Sequence, residues 1–560
     1  MATTLTLKKT LHRPQWEMCN PLPAANAAGS FARALRIPAY KIDEAYFCIN
    51  TTSQVYAWDP VSDTEQLLPS SGLAGTFGAG SCGKIVPLGP SGTATAGSTT
   101  TLTTNLTIPR DLRGYRIRIT GGPGAGDERI IASNTLGANS VITVTTAFSA
   151  TITSSSTYLL LTPRLWVFNP AATPGLGYWD FALSAWTVGR SVTGVTFTGT
   201  DGVINSTASL IGNITDSQDS VGSTATFGSA TATVLTLSAG RAWTTNQWQY
   251  GVITVVGGTG AGQSRIIASN TDLTVTFASM STPMDSTSVW TLTKAFASSG
   301  SNSAVFSACT TTVLTLTGVN WTTNQWANYQ IRAISGTGAG QVRSIASNTA
   351  TTLTVSVAMT AFDATTIWVI EGNDDYLYLA GNAAVALFRY SISGNAWTTA
   401  TATAARAAVT GAGLSLNWIT SVNDSAWTNE NAIKNGRYLY SFRGAAGAVL
   451  DYYDIALTTW TSGVTYANAA ETFTTGCCYE YDGGQFIWIA QAATGRFFYF
   501  DVLLNSLEQG AEYNYVQGAA IVGDKLFMVK FYDGSTVIPF IYHWSNTSQA
   551  LFRTMLWYLY

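Results

Sequence analysis

Apolar and polar residues alternate along this chain in short, β-branched runs. RIIASNT followed by DLTVTF, residues 265–277, is a clear example, and such composition predicts strands rather than helices. One frame of this kind occurs three times. An apolar or Thr-rich strand leads into a glycine turn, then an Arg-bearing strand, then a Val/Thr strand that closes on Tyr158, Trp290 or Trp368. The glycine turns read GGPGAGDERIIASNT (121–135), GGTGAGQSRIIASNT (257–271) and SGTGAGQVRSIASNT (335–349). The second and third copies also share WTTNQW at 243–248 and 321–326, 78 positions apart, as an internal duplication would leave them.

A second, looser repeat fills the rest of the chain. It runs as an aromatic strand, a Gly/Asn/Ala turn, another aromatic strand often ending in Asp, and a turn leading to Trp or Leu. Instances start at Tyr46, Leu165, Tyr376, Tyr438, Phe486 and Leu526. With the three modules removed, the period is roughly 40 to 60 residues, the length of a four-stranded propeller blade. The expected class is therefore all-β: a six- or seven-bladed β-propeller with three inserted small sandwich- or barrel-like β modules. The expected boundaries are propeller 1–93, module 1 at 94–161, propeller 162–223, module 2 at 224–293, module 3 at 294–372 and propeller 373–560. Small-residue strands such as GSCGKIVPLG and STASLIG just before the modules place the insertions between first and second strands of blades. Strands from both ends of the chain, including LFRTMLWYLY at 551–560, are expected to share a blade.

Composition narrows the chemistry. Only 11% of the 560 residues are charged, about half the usual share, so the surface must be rich in Thr, Ser, Asn, Gln and Gly. A net charge of −3 without long basic runs argues against electrostatic capture of nucleic acid or of an anionic membrane. No signal-peptide core and no long uncharged apolar run is present, which predicts a protein made in the cytoplasm without a membrane segment. The six cysteines lack CxxC spacing, and Cys477 and Cys478 are expected on opposite faces of one strand rather than as a redox switch.

GxGxG beside an arginine invites a phosphate-binding reading. The residues after the glycines are strand-like and include no Lys-Ser/Thr pair, so a tight turn with positive φ is expected at Gly260, Gly262, Gly338 and Gly340. His12 and His543 are the only histidines, which nearly excludes histidine triads and multi-histidine metal sites. Asp374, Asp375, Asp451, Asp454 and Asp501 are candidate acids, read as turn caps. No catalytic residue, cofactor or metal is assigned. Arg265 precedes Asp285, and Arg343 precedes Asp363, by the same 20 residues, which predicts an Arg-carboxylate pair in each of these modules. Module 1 has Thr153 near the acidic position, so Arg129 is expected on backbone carbonyls, Asp127 or Glu128. Trp397 and Trp460 are expected as filler between blades.

The aromatic repeat, as in Tyr376, Gly381, Tyr390 and Trp397, resembles kelch-type propeller repeats, with the paired glycines mostly replaced by Ala, Asn or Arg. The GTGAGQ module, ending in D-x-T-S/T-x-W at Asp285 to Trp290 and Asp363 to Trp368, resembles a small β module of structural proteins of tailed bacteriophages. Together these resemblances imply a non-enzymatic virion protein, a ring-forming, nozzle-like tail component or an appendage. Its partners would be copies of itself and other virion proteins, with a host-surface glycan left open. The alternative is a carbohydrate-binding propeller, a receptor-binding appendage or exported lectin, that stacks exposed Trp and Tyr on sugars.

Overall fold

The computed structural model describes residues 88–169, 174–197, 248–293 and 304–371 without a break, and elsewhere chiefly the strands named below. Residues 1–14, 402–412, 420–432 and 544–560 are among those outside the described residues, so His12 and LFRTMLWYLY fall there. Every regular element among the described residues is a β-strand, and the chain is all-β.

Among the described residues, six sheets have four antiparallel strands each. The first joins Phe31–Ile37, Ile42–Cys48, Val55–Asp59 and Thr64–Leu67. The second joins Cys82–Val86, Arg164–Asn169, Gly175–Asp180 and Ala185–Thr187. The third joins Asp201–Ser206, Tyr376–Gly381, Leu387–Ser391 and Ala396–Thr401. The fourth and fifth take Gly413–Ile419 to Thr459–Thr465 and Cys478–Tyr481 to Ser506–Gln509 in sequence order. In the sixth, Val516–Val522, Lys525–Tyr532 and Thr536–His543 are completed by Gln15–Met18, whose Gln15 faces His543 and Met18 faces Phe540. The first strand of each sheet lies against the first strand of the next, and the sixth against the first, in a closed cycle.

Aromatic residues fill the layers between these sheets because flat sheet faces need large, flat side chains to exclude water. Between the second and third sheets Trp166, Phe168, Tyr390 and Trp397 form one buried cluster, with Trp397 Nε1 donating to the Ser191 carbonyl at 2.8 Å. Trp460 packs on Tyr453 with ring centroids 5.3 Å apart. The turn after the third strand also repeats. Ser184, Asn395, Thr458 and Asn505, each four residues past Asp180, Ser391, Asp454 and Asp501, adopt φ of 46°, 47°, 55° and 50°. Asp180 caps its turn by accepting Leu183 N at 3.1 Å, and Ser391 Oγ accepts Gly394 N at 3.0 Å.

Three further sheets have seven strands each, and their strand order is the same. The first contains Arg116–Gly121, Glu128–Asn134, Val141–Val144 and Thr157–Leu161, and the chain enters it between two paired strands, Cys82–Val86 and Arg164–Asn169. The other two come between Asp201–Ser206 and its partner Tyr376–Gly381. Each sheet shifts register at equivalent places, Ile131/Ser133, Ile267/Ser269 and Ile345/Ser347. Such bulges bend a sheet. Leu102, Ile117, Ile131, Ile142 and Tyr158, from both halves of the first sheet, share one core.

Ahead of module 2 the described strand is Asp201–Ser206, and STASLIG beyond Ser206 lies outside the described residues. The module sheets begin earlier than expected, at Ser91–Thr93 for module 1 and Asp216–Ser217 for module 2. Strands of two or three residues are too short to show alternation, so only pairing reveals them. Cys478 begins a strand, while Cys477 lies outside the described residues.

Candidate functional site

The residues repeated in all three modules converge on two neighbouring turns. Gly260, Gly262, Gly338 and Gly340 have φ of 80°, 86°, 78° and 82°, a region that a Cβ disfavours. The closing turn is fastened to the glycine turn by one hydroxyl: Ser288 Oγ donates to the Thr259 carbonyl at 2.6 Å, Thr366 Oγ1 to Thr337 at 2.8 Å and Ser156 Oγ to Pro123 at 3.0 Å. Asp285 Oδ1 accepts Thr287 N at 2.8 Å and Thr287 Oγ1 at 2.6 Å, and Asp363 treats Thr365 identically. These bonds, with those from Thr259 and Thr337, hold both exposed carboxyls below the usual carboxylate range.

The two expected ion pairs are therefore corrected. Arg265 Nε donates to the Ser279 carbonyl at 2.8 Å and Nη1 to the Ser264 carbonyl at 2.8 Å. Arg343 likewise meets Ala358 at 3.1 Å and Val342 at 2.7 Å. Burial lowers both guanidinium pKa values, with no carboxylate offsetting it. The constant 20-residue spacing arises because each residue satisfies the backbone of its own turn. Arg129 uses the same two kinds of acceptor, Ala147 and Glu128 carbonyls at 2.9 and 3.1 Å, and adds Asp127 Oδ1 at 3.1 Å. Asp127 stands where the other modules have Gln263 and Gln341, and all three accept a backbone N–H from the following connection: Ser149, Ser281 and Thr360.

One repeated residue was not singled out in the sequence. Asn134, Asn270 and Asn348, of the SNT triplet, accept the backbone N–H of Leu112, Trp248 and Trp326 at 2.8, 2.7 and 2.7 Å. Each also donates Nδ2 to the next residue's carbonyl. Its signal was present, since the triplet occurs in all three copies, but its partner 22 residues upstream is visible only in three dimensions. Of the candidate acids, Asp375 accepts Ser391 Oγ and Ser393 N at 2.6 Å each, and Asp451 accepts Gly463 N at 2.9 Å. Asp375 serves a hydroxyl and an N–H at the turn after Ser391, whereas Asp451 lies within strand Val449–Asp454 and binds the neighbouring strand at a register shift, so it is not a turn cap. Asp374 lies outside the described residues.

The densest charge in the described residues sits where the modules meet. Glu128 binds Arg116 at 2.8 Å and Arg118 at 2.9 Å, while Arg332 grips Glu371 through Nε and Nη2 at 2.8 and 3.1 Å. Gln330 also donates to Glu371, and Arg116 reaches Thr291 of module 2 at 3.4 Å. Burial pushes the Glu128 carboxyl up, but Arg116, Arg118 and the Arg332 guanidinium of module 3 outweigh it and hold it at about 2. Each of these acids is held by arginines of its own module, and Arg116 and Arg332 also reach towards the neighbouring modules.

No protein-family model matches this chain, and no curated protein matches it. Among solved structures it is similar to an auxiliary nutrient binding protein from Bacteroides thetaiotaomicron, at 10% identity over 82% of this chain and 98% of that one, with a TM-score of 0.19. A PQQ-bound aldose sugar dehydrogenase from Streptomyces coelicolor matches at 10% identity over 68% and 90%, with a TM-score of 0.22. BamB from Moraxella catarrhalis matches at 9% over 67% and 81%, with a TM-score of 0.18. Likeness at this level assigns no activity.

Proposed function

We propose that this chain is a non-enzymatic structural protein of a tailed-bacteriophage virion, a ring-forming, nozzle-like tail component or an appendage. In this reading the closed cycle of four-stranded sheets is a six-bladed β-propeller, and the seven-stranded sheets are modules inserted into its second and third blades. It assembles in the host cytoplasm and leaves in the particle, where its partners are copies of itself and other virion proteins.

The observation that carries the reading is where the repeated residues are used. Arg, Asn, Asp and the hydroxyls of the module signature bond to turns within their own module, while Arg116 and Thr146 of module 1 reach Thr291 and Gly258 N of module 2. The most repeated chemistry in the chain thus serves architecture. The sugar-stacking alternative draws less support. The exposed large apolar side chains among the described residues are Leu67, Leu136, Val188, Leu273, Val305 and Val357, none of them aromatic.

The test is native mass measurement and imaging of purified particles carrying a tagged copy of this chain. Ring-shaped density and a multimeric species released on mild dissociation are expected. Absence of the chain from particles, or a monomer at every concentration that binds an immobilised glycan, would overturn the proposal.

A further inference from the structure

Equivalent positions of the modules meet differently at their three seams. Between modules 1 and 2, Ile130 packs on Val256 and Val289. Between modules 2 and 3, Ile266 packs with Ile334 and the partly buried Ile367, joined by Val252, Ala295 and Val369. By repeat position, Ile130 and Ile266 correspond to Ser344, Val256 and Ile334 to Thr120, and Val289 and Ile367 to Thr157. The triple left for the seam between modules 3 and 1 is therefore all hydroxyl. Those hydroxyls are used at home: Thr120 and Thr157 bond each other at 2.9 Å, and Asn373 Nδ2 donates to Ser344 Oγ at 3.1 Å.

The third seam nevertheless closes. A Cβ added to Gly340 would lie 2.7 Å from the Ile119 carbonyl oxygen and 2.9 Å from Gly126 N, and one added to Gly126 would lie 3.0 Å from Ala339 Cβ. The two glycine turns touch backbone to backbone, yet each keeps its hydrogen bonds inside its own module, Gly126 N to Ile119 O and Gly340 N to Ala333 O, both at 2.9 Å. Across this seam the Arg332 guanidinium also acts on the Glu128 carboxylate, favouring its charged form. Dry contacts are lost only by exposing apolar area, whereas a polar contact exchanges protein partners for water at little net cost.

We propose that the seam between modules 1 and 3 is a latch. Module 1 rests on module 2 through the patch at Ile130, the Gly258 N–H donated to Thr146 Oγ1 at 2.9 Å and the Arg129 guanidinium against Gly262, and it swings on this seam, closing on module 3 through the glycine turns, while modules 2 and 3 stay joined. Module 1 leaves the ring from the second sheet, and modules 2 and 3 leave it from the third, so the latch ties neighbouring sheets together.

The test is a pulsed spin-label distance measurement on the full chain, with native cysteines replaced. One label pair spans modules 1 and 3, at Leu136→Cys and Val357→Cys, and a control pair spans modules 2 and 3, at Leu273→Cys and Val357→Cys. All three sites are exposed, Leu136 at 64%, Val357 at 61% and Leu273 at 43%. The expected result is a second, longer distance for the first pair only. Glu128→Gln, or 1 M salt with its screening length of about 3 Å, should at least double that population. Thr120→Val with Thr157→Val and Ser344→Ile should abolish it. A single distance for the first pair in the parent, in Glu128→Gln and in high salt would overturn the latch, as would equal broadening of both pairs. The parent and salt arms stand even where the triple variant fails to fold.

Discussion

The modules and the ring of four-stranded sheets repeat in different ways. In the modules residue identity recurs, because Asn270, Arg265, Asp285 and Ser288 each aim a particular polar atom at a particular backbone group. In the ring only character recurs. The left-handed turn position is Ser184, Asn395, Thr458 or Asn505, and the residue two further on is Trp186, Trp397, Trp460 or Leu507. A hydrogen bond demands a partner atom at a fixed distance and angle, which few side chains supply, whereas an apolar layer accepts many side chains of suitable volume.

The ring differs most from the modules at its closure, which depends on no signature residue. Deleting residues 15–18 removes the fourth strand of the sixth sheet. We expect calorimetry to show a separate early transition and a fall in Tm of roughly 10 °C, with the module transition retained. A single unshifted transition would refute closure by this strand.

The next effect lies in the buried charges of module 1. Glu128→Ala leaves Arg116 and Arg118 without their carboxylate and should cost about 3 kcal/mol in denaturant unfolding. The acid dependence has a definite sign. The Glu128 carboxyl is depressed from 4.5 to about 2 in the folded chain, so its contribution is fully present above pH 4.5 and is lost as pH falls towards 2. That amounts to about 3 kcal/mol by linkage, and Glu128→Gln should remove this slope.

Within a module, Asn270→Ala should cost about 2 kcal/mol, since it strands the buried Trp248 N–H. Asn134→Ala, at a less buried site, should cost about half that. Equal losses would show that burial does not set the value of this bond. In the ring, Thr458→Asn should stabilise by about 0.5 kcal/mol, because a β-branched residue at φ 55° is strained and Asn is not. The smallest expected effect is the coupling between Arg265 and Asp285. A double-mutant cycle should find none, since neither touches the other.

Strand character, the threefold module and the looser aromatic repeat were legible along the chain because alternation and glycine turns are local properties. Positive φ at the four module glycines was equally legible, since the GTGAGQ run leaves the backbone few other uses for glycine there. The Arg–Asp pairing failed for a physical reason: constant spacing records a shared frame, and two residues that each satisfy their own turn keep that spacing without meeting. Only the tertiary structure decided that Asn134, Asn270 and Asn348 reach back across their modules. That strands from both ends share a sheet was legible, but only the tertiary structure showed that Gln15–Met18 is the N-terminal one, and that Glu128 stands among arginines of two modules. Those contacts join groups far apart in the chain, and their strength depends on burial and on the gathering of charge, neither of which a single stretch of residues contains.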